Sequence, residues 1–143
     1  VRTPPPSLAA FPAVTHEKLR YADTDRQGHV NNAVFAVLLE AGRVELLCAP
    51  PAPVFEPGCA FVLARLQLDF RAELSWPGQV DVGTRVADVG TSSVTLEQAL
   101  FQAGRCAAVA TTVVVQVSEA TGRPQPLTEV ARERLARWTG PRP

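Results

Sequence analysis

RYADTDRQGHVNNAVFAVLLEAGRVELL, residues 20–47, divides into two parts at its paired asparagines. From Tyr21 to Gly28, Asp and Gly cluster as they do in irregular backbone. Asn31 and Asn32 then precede an uninterrupted helical stretch, Ala33 to about Leu47, and Asn is a good N-cap. Val34, Phe35, Val37, Leu38, Leu39, Val44, Leu46 and Leu47 fall on nearly every side of that helix. Only Glu40, Arg43 and Glu45 break the pattern, so the helix is expected to be buried nearly all round. Gly42 costs about 1 kcal/mol against Ala in a helix interior, which predicts a close approach by another backbone.

Downstream, Ala49 to Gly58 is Pro-rich and ends the helix. The remainder reads as β-structure. Arg65 to Arg71 alternates as a half-buried strand does. Pro77-Gly78 is a turn, and Val80, Val82, Thr84 and Val86 share one face of the next strand. Gly90 separates it from Val94–Phe101, and Ala103-Gly104 turns into Arg105–Val117. The continuous apolar middle of that last run predicts a central strand buried on both faces. A short amphipathic helix follows, with Leu127, Ala131, Leu135 and Trp138 on one side. Upstream, Val14 to Arg20 reads as a first strand, and residues 1–12 form a Pro-rich, unpatterned arm. One strand, a buried helix and four strands joined by short turns describe an α+β domain spanning residues 13–139. Its outline is an antiparallel sheet of about five strands around one helix.

With 143 residues, the chain is of single-domain size, and 46% hydrophobic against 20% charged residues is the profile of an ordinary globular protein. Lys plus Arg equals Asp plus Glu at 14 each, so no field-driven partner, nucleic acid or membrane surface, is implied. No apolar run is long enough to span a bilayer, and the first residues lack a signal-peptide pattern. Cys48, Cys59 and Cys106 are odd in number and widely separated, and with only His16 and His29 they make no zinc-ligand spacing. The expectation is buried thiols, no metal, and a reducing cytoplasm.

The chemistry concentrates in the first part of the opening stretch. It sets two acids, Asp23 and Asp25, on a loop before the unpaired amides and partial positive charge of a helix N-terminus. A carboxylate there can act on a carbonyl whose oxygen rests on those amides. The same grouping can equally be a capped helix start, with either Asp accepting backbone hydrogen bonds.

The stretch resembles the signature of the 4-hydroxybenzoyl-CoA thioesterase family, including the short acyl-CoA thioesterases of the YbgC and FadM type. An aromatic-x-D-x-D-x-x-G-H-V segment, here Tyr21 to Val30, precedes the helix, with Asn31-Asn32 following and a Glu…Arg pair further on at Glu40 and Arg43. The resemblance covers about Val14 to Trp138 and implies a hotdog fold and hydrolysis of acyl-coenzyme A without a cofactor. It implies that Asp25 is the catalytic carboxylate, either attacking the thioester carbonyl or drawing a proton from water. It also implies that the amide near Asn32 polarises the thioester oxygen, and that His29, Asn31 and Asn32 contact substrate. His29 has a structural alternative in loop hydrogen bonding, and Asn31 has two, capping the helix or hydrogen-bonding Asp25. Asp23 reads as a loop-fixing acceptor, and Glu40–Arg43 as a buried ion pair or inter-subunit contact. The chain departs from some members in having Ala33-Val34-Phe35 where they carry Tyr, and the loop 49–58 is a further candidate for lining the acyl pocket. Arg71, Arg85, Arg105 and Arg123 are the candidates for the phosphates of coenzyme A. Hotdog relatives pair their sheets, so a homodimer or homotetramer is expected. An acyl-carrier-protein thioesterase and a non-catalytic acyl-CoA-binding module are the alternatives.

Overall fold

The computed structural model describes residues 3–49 and 52–140. Its regular elements are β1 (Ala13–Lys18), α1 (Asn32–Cys48), β2 (Cys59–Phe70), β3 (Gln79–Val89), β4 (Ser93–Gln102), β5 (Arg105–Ser118) and α2 (Glu129–Ala136). Two short 3-10 turns, Leu8–Ala10 and Tyr21–Asp23, flank β1. The strands form one antiparallel sheet in the order β1-β3-β4-β5-β2. α1 lies across one face of it, touching β1, β3 and β4. This is the α+β hotdog arrangement, with α2 as a short C-terminal addition. Among the described residues no helix is long and apolar enough to cross a membrane.

Alternation decides which side chains meet the helix. Val80, Val82, Thr84 and Val86 of β3 are all buried beneath α1, with Leu96, Gln98 and Leu100 of β4 beside them. Gly42 sits where a Cβ would meet Val82 Cγ1 at 2.5 Å and Gln98 Nε2 at 3.3 Å. The close approach expected there is therefore made by side chains of the sheet, not by another backbone. Gln98 ties the layers together, its Nε2 donating to the Leu39 carbonyl at 2.9 Å and to Thr84 Oγ1 at 3.1 Å. Leu127, Ala131 and Leu135 close a second core cluster around Leu47, Val86, Leu96 and Val114, with Trp138 packed against it.

Three expectations change in the folded chain. α1 is not buried all round: Phe35, Leu38, Leu39, Gly42, Arg43 and Leu47 face inward, while Val37 and Val44 are exposed. One sheet can cover only one side of a helix, and nothing among the described residues covers these two. β5 lies inside the sheet, between β4 and β2, but only alternate residues from Ala108 to Gln116 are buried; Val109, Thr111, Val113 and Val115 are half-buried on the outer face. The arm covers part of that outer face, where Phe11 is buried edge-on against Phe101, with ring centroids 6.1 Å apart, and over Gly83.

The described part of the loop 49–58 packs at the far end of α1: Val54 is buried and donates its N–H to the Leu47 carbonyl, and Glu56 N–H donates to the buried Gln116 side chain. Pro50 and Pro51 of that loop lie outside the described residues.

Candidate active site

The loop between β1 and α1 is built from short-range hydrogen bonds. The buried Asp23 carboxylate accepts from the Arg20 amide (2.8 Å) and from Arg20 Nη2 (2.9 Å). The Arg20 guanidinium and amide together hold its carboxyl below the usual carboxylate range. Asp23 is thereby the loop-fixing acceptor, and its carbonyl takes the Asn31 N–H at 2.8 Å. Asn31 caps α1: its Oδ1 accepts from Ala33 N–H at 2.9 Å, while its carbonyl accepts from Val34 N–H. The Asn31 side chain is thus turned to the helix and not to Asp25.

Asp25 is oriented by its own loop. Its Oδ1 accepts from Gln27 N–H at 2.8 Å, an Asx-type turn, and from His29 N–H at 3.4 Å. Asp25 N–H donates to the His29 carbonyl at 2.8 Å, and Gly28, at φ +84°, closes the turn. Among the described residues nothing bonds to Asp25 Oδ2. One carboxylate oxygen is thus held by loop amides, and the other accepts no hydrogen bond among the described residues.

A cleft of about 330 Å³ opens at this carboxylate, bounded by Asp25, His29 and Asn32 on one side and by Phe70, Arg71 and Glu73 on the other. Phe35 of α1 and Phe70 meet edge to face there, centroids 5.0 Å apart. Asn32 is the first residue of α1, a position whose amide has no acceptor inside an α-helix. The amides of Ala33 and Val34 are occupied by Asn31, so that of Asn32 is the first-turn donor next to the cleft. The structure thus brings Asp25, His29 and Asn32 to one cleft; Asn31 stands behind it as the cap, outside the lining.

Phe70, Arg71 and Glu73 arrive from the end of β2 and the segment after it, 45 to 48 residues along the chain from Asp25. Arg71 is the one arginine of the four phosphate candidates that lines this cleft. Its Nη2 donates to the Thr3 carbonyl in the arm. Arg85 is paired with Glu97 on the outer face of the sheet. The described part of the loop 49–58 lines a separate cleft against α2 rather than this one. Glu73 had no local signal in the sequence; it reaches His29 only because the segment after β2 runs beside the loop, with His29 bridged to Ser75 and Val30 N–H bonded to the Leu74 carbonyl.

Glu40 and Arg43 are not a buried pair. Arg43 is buried, Glu40 is exposed, and Nη2 and Oε2 stand 3.9 Å apart. Burial lowers the Arg43 pKa below its ordinary value, with Glu40 opposing. Among the described residues, no group of three His, Cys, Asp or Glu side chains is placed to hold a metal ion.

Residues 19–135 match the family profile described as the thioesterase-like superfamily. Among solved structures, a Pseudomonas aeruginosa PAO1 protein superposes with a TM-score of 0.86 at 25% identity, covering 98% of this chain and 100% of its own. A thioesterase from Thermus thermophilus, complexed with coenzyme A and zinc, is 35% identical with a TM-score of 0.76, covering 88% and 92%. A DHNA-CoA thioesterase of Staphylococcus aureus, 20% identical with a TM-score of 0.79 over 87% and 88%, shares the fold. A comparison with curated proteins found no significant match.

Proposed function

The chain belongs to the thioesterase-like superfamily and is a thioester hydrolase; on that premise we propose that it cleaves acyl-coenzyme A to free acid and coenzyme A, with Asp25 as the catalytic carboxylate. The finer placement we propose is the 4-hydroxybenzoyl-CoA thioesterase type represented by YbgC and FadM. The observation that carries the assignment is the state of Asp25: one oxygen is tied down by loop amides, the other accepts no hydrogen bond among the described residues, and the residue lines a cleft that Asn32 of the first turn of α1 lines too.

In this reading the thioester carbonyl lies with its oxygen toward the Asn32 amide, where the helix end stabilises the charge that grows on it. Either Asp25 Oδ2 adds to the carbonyl carbon, the C–S bond breaks, and water then hydrolyses the mixed anhydride, or Oδ2 takes a proton from the water that adds. The coenzyme A thiolate leaves and takes up the released proton. Thiolate is a good leaving group, so the site needs no strong general acid. His29 and Asn32 border the reacting end and Asn31 holds the helix start in place. Arg71 stands where a phosphate of the coenzyme could reach it, in exchange for the Thr3 carbonyl.

We also assign a homodimer or homotetramer. β2 is an edge strand with Val62 and Leu63 exposed, and Phe70 at its end borders the cleft. Three unpaired cysteines suit a cytoplasmic location.

Thiol release from a panel of acyl-CoAs tests the assignment. Asp25→Asn keeps size and hydrogen-bonding capacity but removes the charge; kcat should fall at least ~10²-fold with far less change in KM. Asp23→Asn, on the same loop, should act on stability and leave kcat near wild type. A folded Asp25→Asn protein with wild-type kcat would refute the role of Asp25.

A further inference from the structure

The chemistry above leaves Glu73 unused, although it borders the same cleft. Its carboxylate Oε2 lies 2.9 Å from His29 Nε2, and its side chain is 68% exposed. An ion pair that open to water contributes little by itself. What sets this one apart is the other side of the ring: His29 Nδ1 is buried and has no hydrogen-bond partner among the described residues.

An ionised carboxylate only accepts, so the bond to Glu73 puts a proton on Nε2. With the proton there, neutral Nδ1 carries only a lone pair. A proton on Nδ1 would instead bury an N–H with nothing to accept it, the less tolerated of the two defects. Both nitrogens select the same tautomer. The backbone repeats the attachment, because His29 bridges to Ser75 and Val30 N–H donates to the Leu74 carbonyl at 2.9 Å. On its other side, His29 supplies the amide that faces Asp25 Oδ1 and the carbonyl that accepts from Asp25 N–H. One residue therefore links the Glu73 carboxylate to the Asp25 carboxylate.

We propose that Glu73 is a positioning residue for Asp25: it holds His29 as the Nε2–H tautomer with the ring clamped to the 73–75 segment, and through the His29 amide keeps the Asp25 carboxylate turned into the cleft. This rests on the hydrolase reading of the cleft, and the experiment separates the two. Nitrogen-15 spectra of the imidazole rings report the tautomer directly, and the chain has only two histidines. His16 is the internal control, since its Nδ1 lies 2.7 Å from Asp81 Oδ1 and so bears the proton on Nδ1, the opposite tautomer to that of His29.

In Glu73→Ala, His29 should become a tautomer mixture with His16 unchanged. On the fastest wild-type substrate among acetyl-, octanoyl- and benzoyl-CoA, kcat should fall about 10- to 100-fold, the scale of a slightly misplaced reacting group, with KM changed much less. Glu73→Gln still offers an oxygen to Nε2–H and should restore the spectrum and most of kcat. An Ala variant with an unchanged His29 spectrum or wild-type kcat overturns the proposal, as does a Gln variant as impaired as Ala. If the wild type cleaves none of the three thioesters, the acyl-CoA reading of the cleft is what fails, and the spectra alone decide whether Glu73 holds the ring.

Discussion

Replacing Gly42 with alanine sets two effects of opposite sign against each other at one atom. Helix propensity favours alanine by about 1 kcal/mol in a helix interior. The added methyl, however, would stand 2.5 Å from Val82 Cγ1 and 3.2 Å from Val82 Cβ. Val82 has no accessible surface and is β-branched, so it has neither space nor a free rotamer to move into. The third neighbour, Gln98 Nε2 at 3.3 Å, is the atom that joins the sheet to the Leu39 carbonyl. Overpacking of this kind costs about 1–3 kcal/mol, occasionally more, and at this contact distance the upper part of that range applies. Subtracting the propensity gain leaves a net loss of about 1–2 kcal/mol, equivalent to roughly 3–6 °C in Tm for a domain of this size. Thermal and urea unfolding at one fixed protein concentration measure it, because self-association would make Tm depend on concentration. Val82→Ala removes the clashing atom, so the double variant should be more stable than the sum of the two single changes by about 1 kcal/mol. A Gly42→Ala protein as stable as wild type, or strictly additive with Val82→Ala, would refute the close-approach argument.

The depressed pKa of Asp23 gives a pH signature. Stability from it is complete above the unfolded value, about 3.9, and is lost as pH falls through the lower folded value. Wild type and Asp23→Asn should therefore differ in Tm near neutral pH, by about 1–2 kcal/mol equivalent, and converge on acidification; a gap that widens toward low pH contradicts the assignment. Phe11→Ala should cost about 3–5 kcal/mol because the ring is buried against Phe101 and Gly83, and a melt within error of wild type would show that the arm does not pack on the sheet. Light scattering should report a dimer or tetramer at micromolar concentration, whereas a stable, active monomer would contradict the pairing proposed for β2.

Several parts of this protein are decided by short-range pattern and were legible without a structure. Asn31 caps α1 because an Asn side chain reaches the amide two residues on. The face shared by Val80, Val82, Thr84 and Val86 follows from the two-residue period of a strand. The loop acids lie within a few residues of the atoms they bind, so the loop that turns Asp25 was visible as a motif. Three things were settled only by tertiary structure. Val37 and Val44 of α1 are exposed because one sheet cannot surround a helix, and no local pattern says which of several apolar sides it will cover. Phe11 is buried because β3 offers a glycine beneath it, at Gly83, a partner more than seventy residues away. Glu73 meets His29 because the register of two distant backbone segments places it there. Local chemistry sets the shape of the Asp25 loop, but long-range strand pairing, which no neighbouring residue encodes, determines what stands across the cleft from it.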